Sequence, residues 1–409
     1  MAAQRWAASG DKPEAKCSQA NPVRWAAPWS SRKHAERLRS SANAGISPAA
    51  MSRSANVSSN PSRPIAKMRR ARMLPLRTVK STSRHAGYGS LEAEPMRSSP
   101  DISIVIPTFN RASSLRLTLN ALDRQLVPDS LTWEVIVVDN NSCDRTRSEV
   151  EDFSRTARIP VRYIFAAQQG VSHARNAGVA SARAEVVGFT DDDADPARDW
   201  VATIATVMAD TSADIVGGQI RPVWHRPPPA WLEHGTFLRS SLAIMDDTTP
   251  LTIVDFTGLP MIWGANMAFR RKVFDRVGAF NPQRGAVGYK LYRGEETDLI
   301  RRAIEAGFRV VYDPRLFVTH RIGPDRMRVA YFARFAFDQL EGEALVERAS
   351  GELPGVVRVH ARVARQVVRW VAAAVRRRPE TLERWLECCA ALGYASGFWK
   401  GCFRRRREA

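Results

Sequence analysis

The fold is decided where the chain reads Ile102-Ser-Ile-Val-Ile-Pro-Thr-Phe-Asn-Arg111. A short apolar run closed by turn-forming residues is typical of a buried β-strand. Leu115, Leu119 and Leu122 follow at the spacing of one helical face. Further strands are predicted at 134–138, 161–165, 185–190 and 214–218, with helices near 145–157, from 170 and at 198–208. This alternation predicts an α/β fold with a doubly wound, mainly parallel sheet flanked by helices.

An acidic cluster follows the predicted fourth strand, in the stretch Phe189-Thr-Asp-Asp-Asp-Ala-Asp195. Carboxylates so close together repel one another unless a cation neutralises them. Asp191 and Asp193 are spaced to bind one hard cation, Mg²⁺ or Mn²⁺, that also accepts diphosphate oxygens. A calcium EF-hand is excluded because the loop lacks the required glycine and the acid at position twelve. An acidic surface turn remains the structural alternative.

A second acidic group, Gly294-Glu-Glu-Thr-Asp298, opens a predicted helix. Acids in a first helical turn are favoured by the helix dipole alone. The functional alternative is a general base that takes a proton from an attacking hydroxyl.

The net charge of +19 is concentrated at the start of the chain. Residues 1–100 hold 18 Lys or Arg against 5 Asp or Glu, which leaves about +6 for the remaining residues. Residues 1–98 lack apolar periodicity and are predicted to be a disordered basic extension. Their composition also fits an organellar transit peptide, or an overcalled start with translation beginning at Met96. A catalytic domain is expected at 99–335.

The cysteine count and the lengths of the apolar runs indicate a cellular compartment rather than a reaction. Five scattered cysteines lack metal-ligand spacing and the even count of a disulfide framework. No apolar run reaches the length of a membrane span. A cytoplasmic protein is therefore expected.

A basic helical segment is predicted at 336–409. Apolar positions such as Val367 and Val371 alternate there with Arg365, Arg369 and the run 376–378. Such a helix either lies on an acidic membrane surface, at the inner face of the cell membrane, or caps the catalytic domain. The arginines at 404–407 favour the membrane.

Four motifs in order resemble the family 2 glycosyltransferases, which have the GT-A fold. They are Ile104–Arg111, Val137–Ser142, Gly170–Gly178 and the acidic cluster. The resemblance covers about 235 residues and implies transfer of a sugar from a nucleotide-diphosphate-sugar donor to an acceptor hydroxyl, with inversion and with a Mg²⁺ or Mn²⁺ cofactor. The acceptor implied is a glycan or a lipid-linked sugar of a cell-surface polysaccharide or glycoconjugate.

The same resemblance assigns the site residues. The donor-binding residues would be Pro107, Thr108, Asn110, Asp139, Arg175, Asp192, Gly264 and Asn266. Asp139 would accept from the base, and Arg175 would offer a forked donor to phosphate. Asp192 would face the donor sugar or help to position Arg175. The metal ligands would be Asp191 and Asp193, with His320 as a further metal or phosphate ligand. The general base would be Glu296, with Glu295 as the alternative, because the family usually has Glu-Asp at these positions.

Other functions fit the sequence less well. A nucleic-acid-binding protein leaves the acidic cluster unexplained, so no nucleic-acid partner is expected. A sugar-nucleotide nucleotidyltransferase usually has a glycine-rich, basic loop after its first strand, and Pro107-Thr-Phe-Asn110 is not one. The stretch Gln366-Val-Val-Arg-Trp370 matches a motif of processive polysaccharide synthases, but it lies far from the base and without adjoining membrane spans. Transfer of a single sugar is therefore expected.

Overall fold

The structure is a computed structural model. It describes residues 99–408, apart from 234–235, 246–248, 256–260, 352–354 and 379 and apart from the side chains of 233, 236 and 403–408. From Ser99 onward the described residues belong to one compact unit. The predicted extension at 1–98 lies outside the described residues, as do the side chains of the arginines at 404–407.

The first half of the sheet consists of parallel strands in the order β3-β2-β1-β4. Every residue of β1 is buried, as its apolar sequence predicts. The elements are β1 (Ile102–Thr108), α1 (Ala112–Leu122), β2 (Trp133–Asp139), α2 (Thr146–Ser154), β3 (Val161–Phe165), α3 (Val171–Ser181) and β4 (Val186–Phe189). Helix α1 buries Leu115, Leu119 and Leu122 in the core beneath the sheet. The predicted α/β fold is confirmed in this half.

The second half of the sheet mixes strand directions. Strand β8 is antiparallel to both β4 and β6, whereas β6 and β9 run parallel. The elements are β5 (Ala194–Pro196), α4 (Trp200–Asp210), β6 (Ile215–Trp224), α5 (Ala230–Glu233), α6 (Thr236–Ser241), β7 (Thr252–Ile253), β8 (Met267–Arg270), α7 (Arg271–Val277), α8 (Glu295–Glu305) and β9 (Val310–Ile322). Among the described residues the sheet therefore has nine strands, and antiparallel pairs are more numerous than "mainly parallel" implies.

Strand β6 is longer than the sequence predicts. The predicted strand ends at Gly218, but β6 continues to Trp224 through a shift of register between Gly217 and Gln219. A Cβ at Gly218 would lie only 1.8 Å from the backbone oxygen of Leu316 on β9. The glycine therefore permits a bulge and a close backbone approach inside the strand, rather than ending it.

Three helices complete the described chain: α9 (Val329–Ala349), α10 (Val356–Val375) and α11 (Thr381–Glu408). Helices α9 and α11 lie so close that a Cβ at Gly393 would lie 2.2 Å from the backbone oxygen of Phe337. The helical segment expected at 336–409 is present as helix, and its expected start falls inside α9. In the described ranges, no helix combines the length and the apolar composition needed to cross a membrane.

A buried charged group joins α9 to the loop that precedes α8. The Glu341 side chain is fully buried and accepts hydrogen bonds from Lys290 Nζ at 2.8 Å, Lys400 Nζ at 2.7 Å and the Tyr292 hydroxyl at 2.9 Å. Lys290 also donates to Asp338 at 2.7 Å. Burial raises the pKa of Glu341, but the hydrogen bonds from both lysines outweigh it and lower the pKa to about 2. The C-terminal helices therefore hold the loop at 284–294.

Replacing Glu341 by glutamine is expected to lower the free energy of unfolding by about 2 kcal/mol near pH 7. Losing one partner of a fully buried pair costs about 3–5 kcal/mol, and the partly exposed lysines reduce this value. Because its folded-state pKa is depressed, the Glu341 carboxylate stabilises the protein above about pH 4.5 and loses this effect as the pH falls toward 2. Urea unfolding at pH 7 and at pH 3 measures both effects. Glu305→Gln, on the exposed face of α8, is the control and should change the unfolding free energy by less than about 0.5 kcal/mol.

Candidate functional site

Asp139 lies at the carboxyl end of β2 and is almost completely buried. Its carboxylate accepts hydrogen bonds from the backbone N–H of Ser142 at 2.9 Å and from the Tyr163 hydroxyl at 2.7 Å. A buried carboxylate with fixed donors on both oxygens has one orientation. Each oxygen can still accept another bond, which suits recognition of an N–H group on a ligand.

The carboxyl end of β1 brings Pro107, Thr108 and Asn110 beside this position. Asn110 has a backbone φ of 53°, a left-handed conformation that asparagine tolerates better than most residues. The side-chain oxygen of Asn110 accepts a hydrogen bond from the backbone N–H of Cys143 at 2.7 Å. The backbone N–H of Asn110 donates to Ser142 Oγ at 2.9 Å. The loops after β1 and β2 are thus joined directly.

The acidic cluster lies at the end of β4, where arginines contact each of its three consecutive aspartates, most closely Asp192 and Asp193. Asp192 accepts bonds from Thr108 Oγ1 and Arg111 Nη1, both at 2.8 Å. Asp193 accepts from Arg111 Nη1 at 2.6 Å and from Arg326 Nη2 at 2.7 Å. Burial raises the pKa of Asp193, but the Arg326 and Arg111 guanidinium groups outweigh it and hold the pKa well below its usual range. Asp193 is therefore a carboxylate.

Arg175 connects the acidic cluster to the first turn of α8. Its Nη1 donates to Glu295 Oε1 at 2.6 Å, and its Nη2 lies 3.5 Å from Asp191 Oδ1. The Arg175 and Glu295 side chains are buried, whereas the Asp191 side chain is 37% exposed. Two acidic groups about a hundred residues apart in sequence are therefore separated by the width of one guanidinium group.

Gly264 makes room for this guanidinium group. A Cβ at Gly264 would lie 2.0 Å from Arg175 Nη2 and 2.8 Å from its Cζ. The space above Gly264, a predicted donor-binding position, is thus filled in the structure by the Arg175 guanidinium group. The absence of a side chain at 264 fixes where Arg175 can lie.

Gly264→Ala is expected to lower kcat/KM about 100-fold, because a displacement of about 1 Å at an active site has costs of that order. Arg175 must move, and with it the contacts to Asp191 and Glu295. The rate of the catalysed reaction and the midpoint of thermal unfolding would be measured together. Gly355→Ala is the matched control, because a Cβ there has no atom within 4 Å in the described structure. Normal turnover by Gly264→Ala would show that the position of Arg175 is unimportant.

Glu296 is a buried acid of this region with a raised pKa, as are Asp191 and Asp192, whose pKa values burial raises most. Burial, followed by repulsion from Glu295, raises the pKa of Glu296 to about 8, with Arg175 acting in the opposite direction. Its Oε2 is buried and, within the described residues, has no hydrogen-bond partner, which is also true of Glu295 Oε2. Since unpaired buried oxygens are rare in folded proteins, the Glu296 atom is suited to a partner supplied by a ligand.

The side chains of Asp191, Asp193 and His320 have the chemistry of divalent metal ligands. His320 Nδ1 donates to the backbone oxygen of Leu242 at 2.9 Å, which leaves Nε2, 3.4 Å from Asp193 Oδ1, as the ring nitrogen that a metal could use. Across the described part of the chain no three His, Cys, Asp or Glu side chains form a ready metal cluster. A metal at these residues would have to displace the Arg326 guanidinium group, whose Nη1 lies 2.9 Å from His320 Nε2. The donor set fits Mg²⁺ or Mn²⁺ once Arg326 gives way.

Two predicted residues lie in unexpected surroundings. Asp192 contacts Thr108 and Arg111, and it is Asp191 that approaches Arg175. Asn266 is fully buried, and its amide group bonds to the Trp200 side chain and to the backbone oxygens of Gln219 and Leu316. The Asn266 amide group thus holds Trp200 and the backbones of β6 and β9 together at the start of β8, and its contact with the donor stays a prediction.

Arg111 and Arg326 are the residues that the sequence analysis missed. Arg111 follows directly after the Pro107–Asn110 motif, so its place beside the strand ends could have been inferred. Arg326 lies six residues after His320 in a turn that precedes α9. No pattern in the sequence predicts that this turn returns to Asp193, because the contact depends on the path of β9.

Comparison with known proteins shows which protein family part of the chain matches and which proteins are similar to it. Residues 103–278 match the family model described as Glycosyl transferase family 2. Over 225 residues the chain is 26% identical to the Glycosyltransferase AglE of Haloferax volcanii, with 55% of this chain and 68% of that protein covered. Over 221 residues it is 28% identical to the Pre-mycofactocin glycosyltransferase of Mycobacterium tuberculosis, with 54% of this chain but only 42% of that protein covered.

Among solved structures, one similar protein is the Mannosyltransferase PcManGT of Pyrobaculum calidifontis, solved with GDP-Man and Mn²⁺. It has 19% sequence identity and a TM-score of 0.43, with 76% of this chain and 77% of that chain covered.

Proposed function

We propose, from the premise that residues 103–278 form a glycosyl transferase family 2 domain, that the chain is a metal-dependent, inverting glycosyltransferase. It transfers a single sugar from a nucleotide-diphosphate-sugar donor to an acceptor hydroxyl. The observation that carries the proposal is the Arg175 bridge, because it brings Asp191 and Glu295 to the same guanidinium group. A donor phosphate and an acceptor hydroxyl must meet in such a region.

The donor would lie across the carboxyl ends of β1, β2 and β4. Asp139 has free acceptor capacity for an N–H of the base, and Thr108 and Asn110 line the same edge. Arg175, which lies 3.5 Å from Asp191, would bind the donor diphosphate beside it. A bound metal would be held by Asp191, Asp193 and His320, and it would neutralise negative charge on the departing nucleotide diphosphate.

Glu296 would act as the general base. Direct inversion requires a carboxylate to take the proton of the acceptor hydroxyl as its oxygen attacks the anomeric carbon from the face opposite the leaving group. Glu295 is less suited because its Oε1 is bonded to Arg175. The raised pKa of Glu296 makes it a stronger base than an ordinary carboxylate once deprotonated.

Single-sugar transfer is supported by the surroundings of the Gln366–Trp370 motif. These residues lie on α10, where Trp370 packs against Trp385 and Arg369 pairs with Glu387, both on α11. The motif has a packing role there. We place the enzyme in the cytoplasm, with a glycan or lipid-linked sugar as acceptor in cell-surface polysaccharide or glycoconjugate synthesis, by analogy with the family.

A panel of nucleotide sugars tests the proposal. We expect at least one UDP-, GDP- or dTDP-sugar to be hydrolysed slowly by the full chain, with release of nucleoside diphosphate that depends on Mn²⁺ or Mg²⁺. Anomeric analysis of the transferred sugar by NMR then tests inversion. Release of pyrophosphate instead would indicate nucleotidyl transfer, and the absence of turnover with every donor would contradict the proposal.

A further inference from the structure

Helix α10 has one face against the protein and a broad opposite face in solvent. Val359 and Ala373 are buried, and Trp370 packs on Trp385 with ring centroids 4.8 Å apart. These three residues lie on one side of the helix at the period of 3.6 residues. They form part of the contact between α10 and the rest of the protein.

The solvent face of α10 carries an apolar stripe, formed by Val357, Val368, Val371 and Val375. Their exposed fractions are 81%, 66%, 45% and 78%. At 100° per residue the four positions fall within about 60° of one another, on the side opposite the buried residues. Single exposed valines are ordinary, but a stripe along a whole helix indicates a surface that something covers.

An arginine stripe flanks the apolar stripe. Arg358, Arg362, Arg365 and Arg369 fall within another sector of about 60° along one edge of the valines. Arg369 pairs with Glu387 and Arg362 lies over the Tyr394 ring, while Arg358 and Arg365 have no ion pair within the described residues. Residues 356–378 contain seven arginines and no acid. Whatever covers the valines must therefore also carry negative charge.

We propose that α10 lies flat on an anionic lipid surface, with the valine stripe in the acyl boundary and the arginines among the headgroups. Helices with one apolar face and a basic flank bind membrane interfaces in this way. Each arginine near an anionic leaflet adds electrostatic attraction. A second copy of this chain is a poor occupant, because pairing two α10 helices would bring two arginine stripes together.

Vesicle co-sedimentation of the full chain tests this surface. We expect binding to vesicles of phosphatidylglycerol and phosphatidylcholine, and little binding to phosphatidylcholine alone. Val368→Asn/Val375→Asn should weaken binding about tenfold or more, because acyl contact supplies part of the affinity. Arg358→Gln/Arg365→Gln should also weaken it, and binding should fall as salt is raised from 0.05 to about 0.5 M.

Matched controls separate α10 from the rest of the chain. Leu117→Asn/Leu126→Asn removes two other exposed apolar side chains, and Arg147→Gln/Arg155→Gln removes two other exposed charges. Both controls should bind like the wild type. If the valine variant binds vesicles as tightly as the wild type, adsorption through other basic segments is the explanation and the proposal is wrong. It is also wrong if light scattering shows a dimer that the valine variant abolishes while the wild type ignores anionic vesicles.

Discussion

Replacing Glu296 by glutamine is expected to reduce kcat about 1,000-fold, within the 10²–10⁴ range of general-base catalysis. Glutamine keeps the size of the side chain but cannot accept the proton of the acceptor hydroxyl. Donor affinity should remain within about threefold of the wild type, since the contacts predicted for the donor lie at Asp139, Asp191 and Arg175. Initial rates and calorimetric titration of the donor measure the two quantities separately.

The dependence of the wild-type rate on pH provides a second measurement of the same group. Only the deprotonated Glu296 can act as a base, so kcat/KM should rise with pH and level off above about 8, where its pKa lies. Glu295→Gln is the matched variant, because it removes the neighbouring negative charge and should move this pH midpoint downward. A larger loss of kcat in Glu295→Gln, with Glu296→Gln close to normal, would transfer the role of base to Glu295.

Asp193→Asn is expected to weaken metal-dependent donor binding by about 100-fold or more. Loss of an outer partner of a metal ligand typically costs 10–100-fold in affinity, and loss of a ligand should cost at least as much. Donor titration with and without Mn²⁺ measures the effect, and the gain in affinity on adding Mn²⁺ should largely disappear. The affinity without metal should change little, because Arg111 keeps its contact with Asp192.

Asp195→Asn is the control for this variant. Asp195 belongs to the same acidic cluster, but its carboxylate pairs with Arg321 and, among the described residues, forms no ion pair with Arg111, Arg326 or His320. It should retain the full effect of Mn²⁺ on donor affinity. An Asp193 variant that also retains this effect would locate the metal elsewhere.

The order of strands and helices in the first half of the fold follows from the sequence. The strand at 161–165 has the predicted bounds, and Asp139 ends β2 where the polar residues begin. These predictions depend on local periodicity, which a single segment contains. The continuation of β6 past Gly218 was not predictable in this way, because it depends on the backbone of β9 lying against that glycine.

The site was predictable to a different extent. The motifs predicted that the carboxylates and Arg175 belong to the site. The sequence did not show that Arg175 pairs with Asp191 and Glu295. Asn266 is a polar residue within the otherwise apolar stretch Met261–Met267, and the sequence does not show that its amide group bonds to three interior partners. Arg326 reaches Asp193 across more than a hundred residues of sequence. Spacing indicates which residue types gather at a strand edge, whereas the partner of each side chain depends on the complete three-dimensional path.

The hydrogen bonds between Lys290 and α9 have a consequence for how members of this family can diverge. The segment shared with the family ends at residue 278, whereas the two candidate bases come after it, beside a loop held by Asp338 and Glu341. If only the shared segment were exchanged between two relatives, the site residues on it would be combined with a foreign loop at 284–294 and with the foreign α9 that holds this loop. In chimeras, the stretch from the loop through the last helices should therefore be inherited as one block, together with any change in acceptor preference that the loop confers.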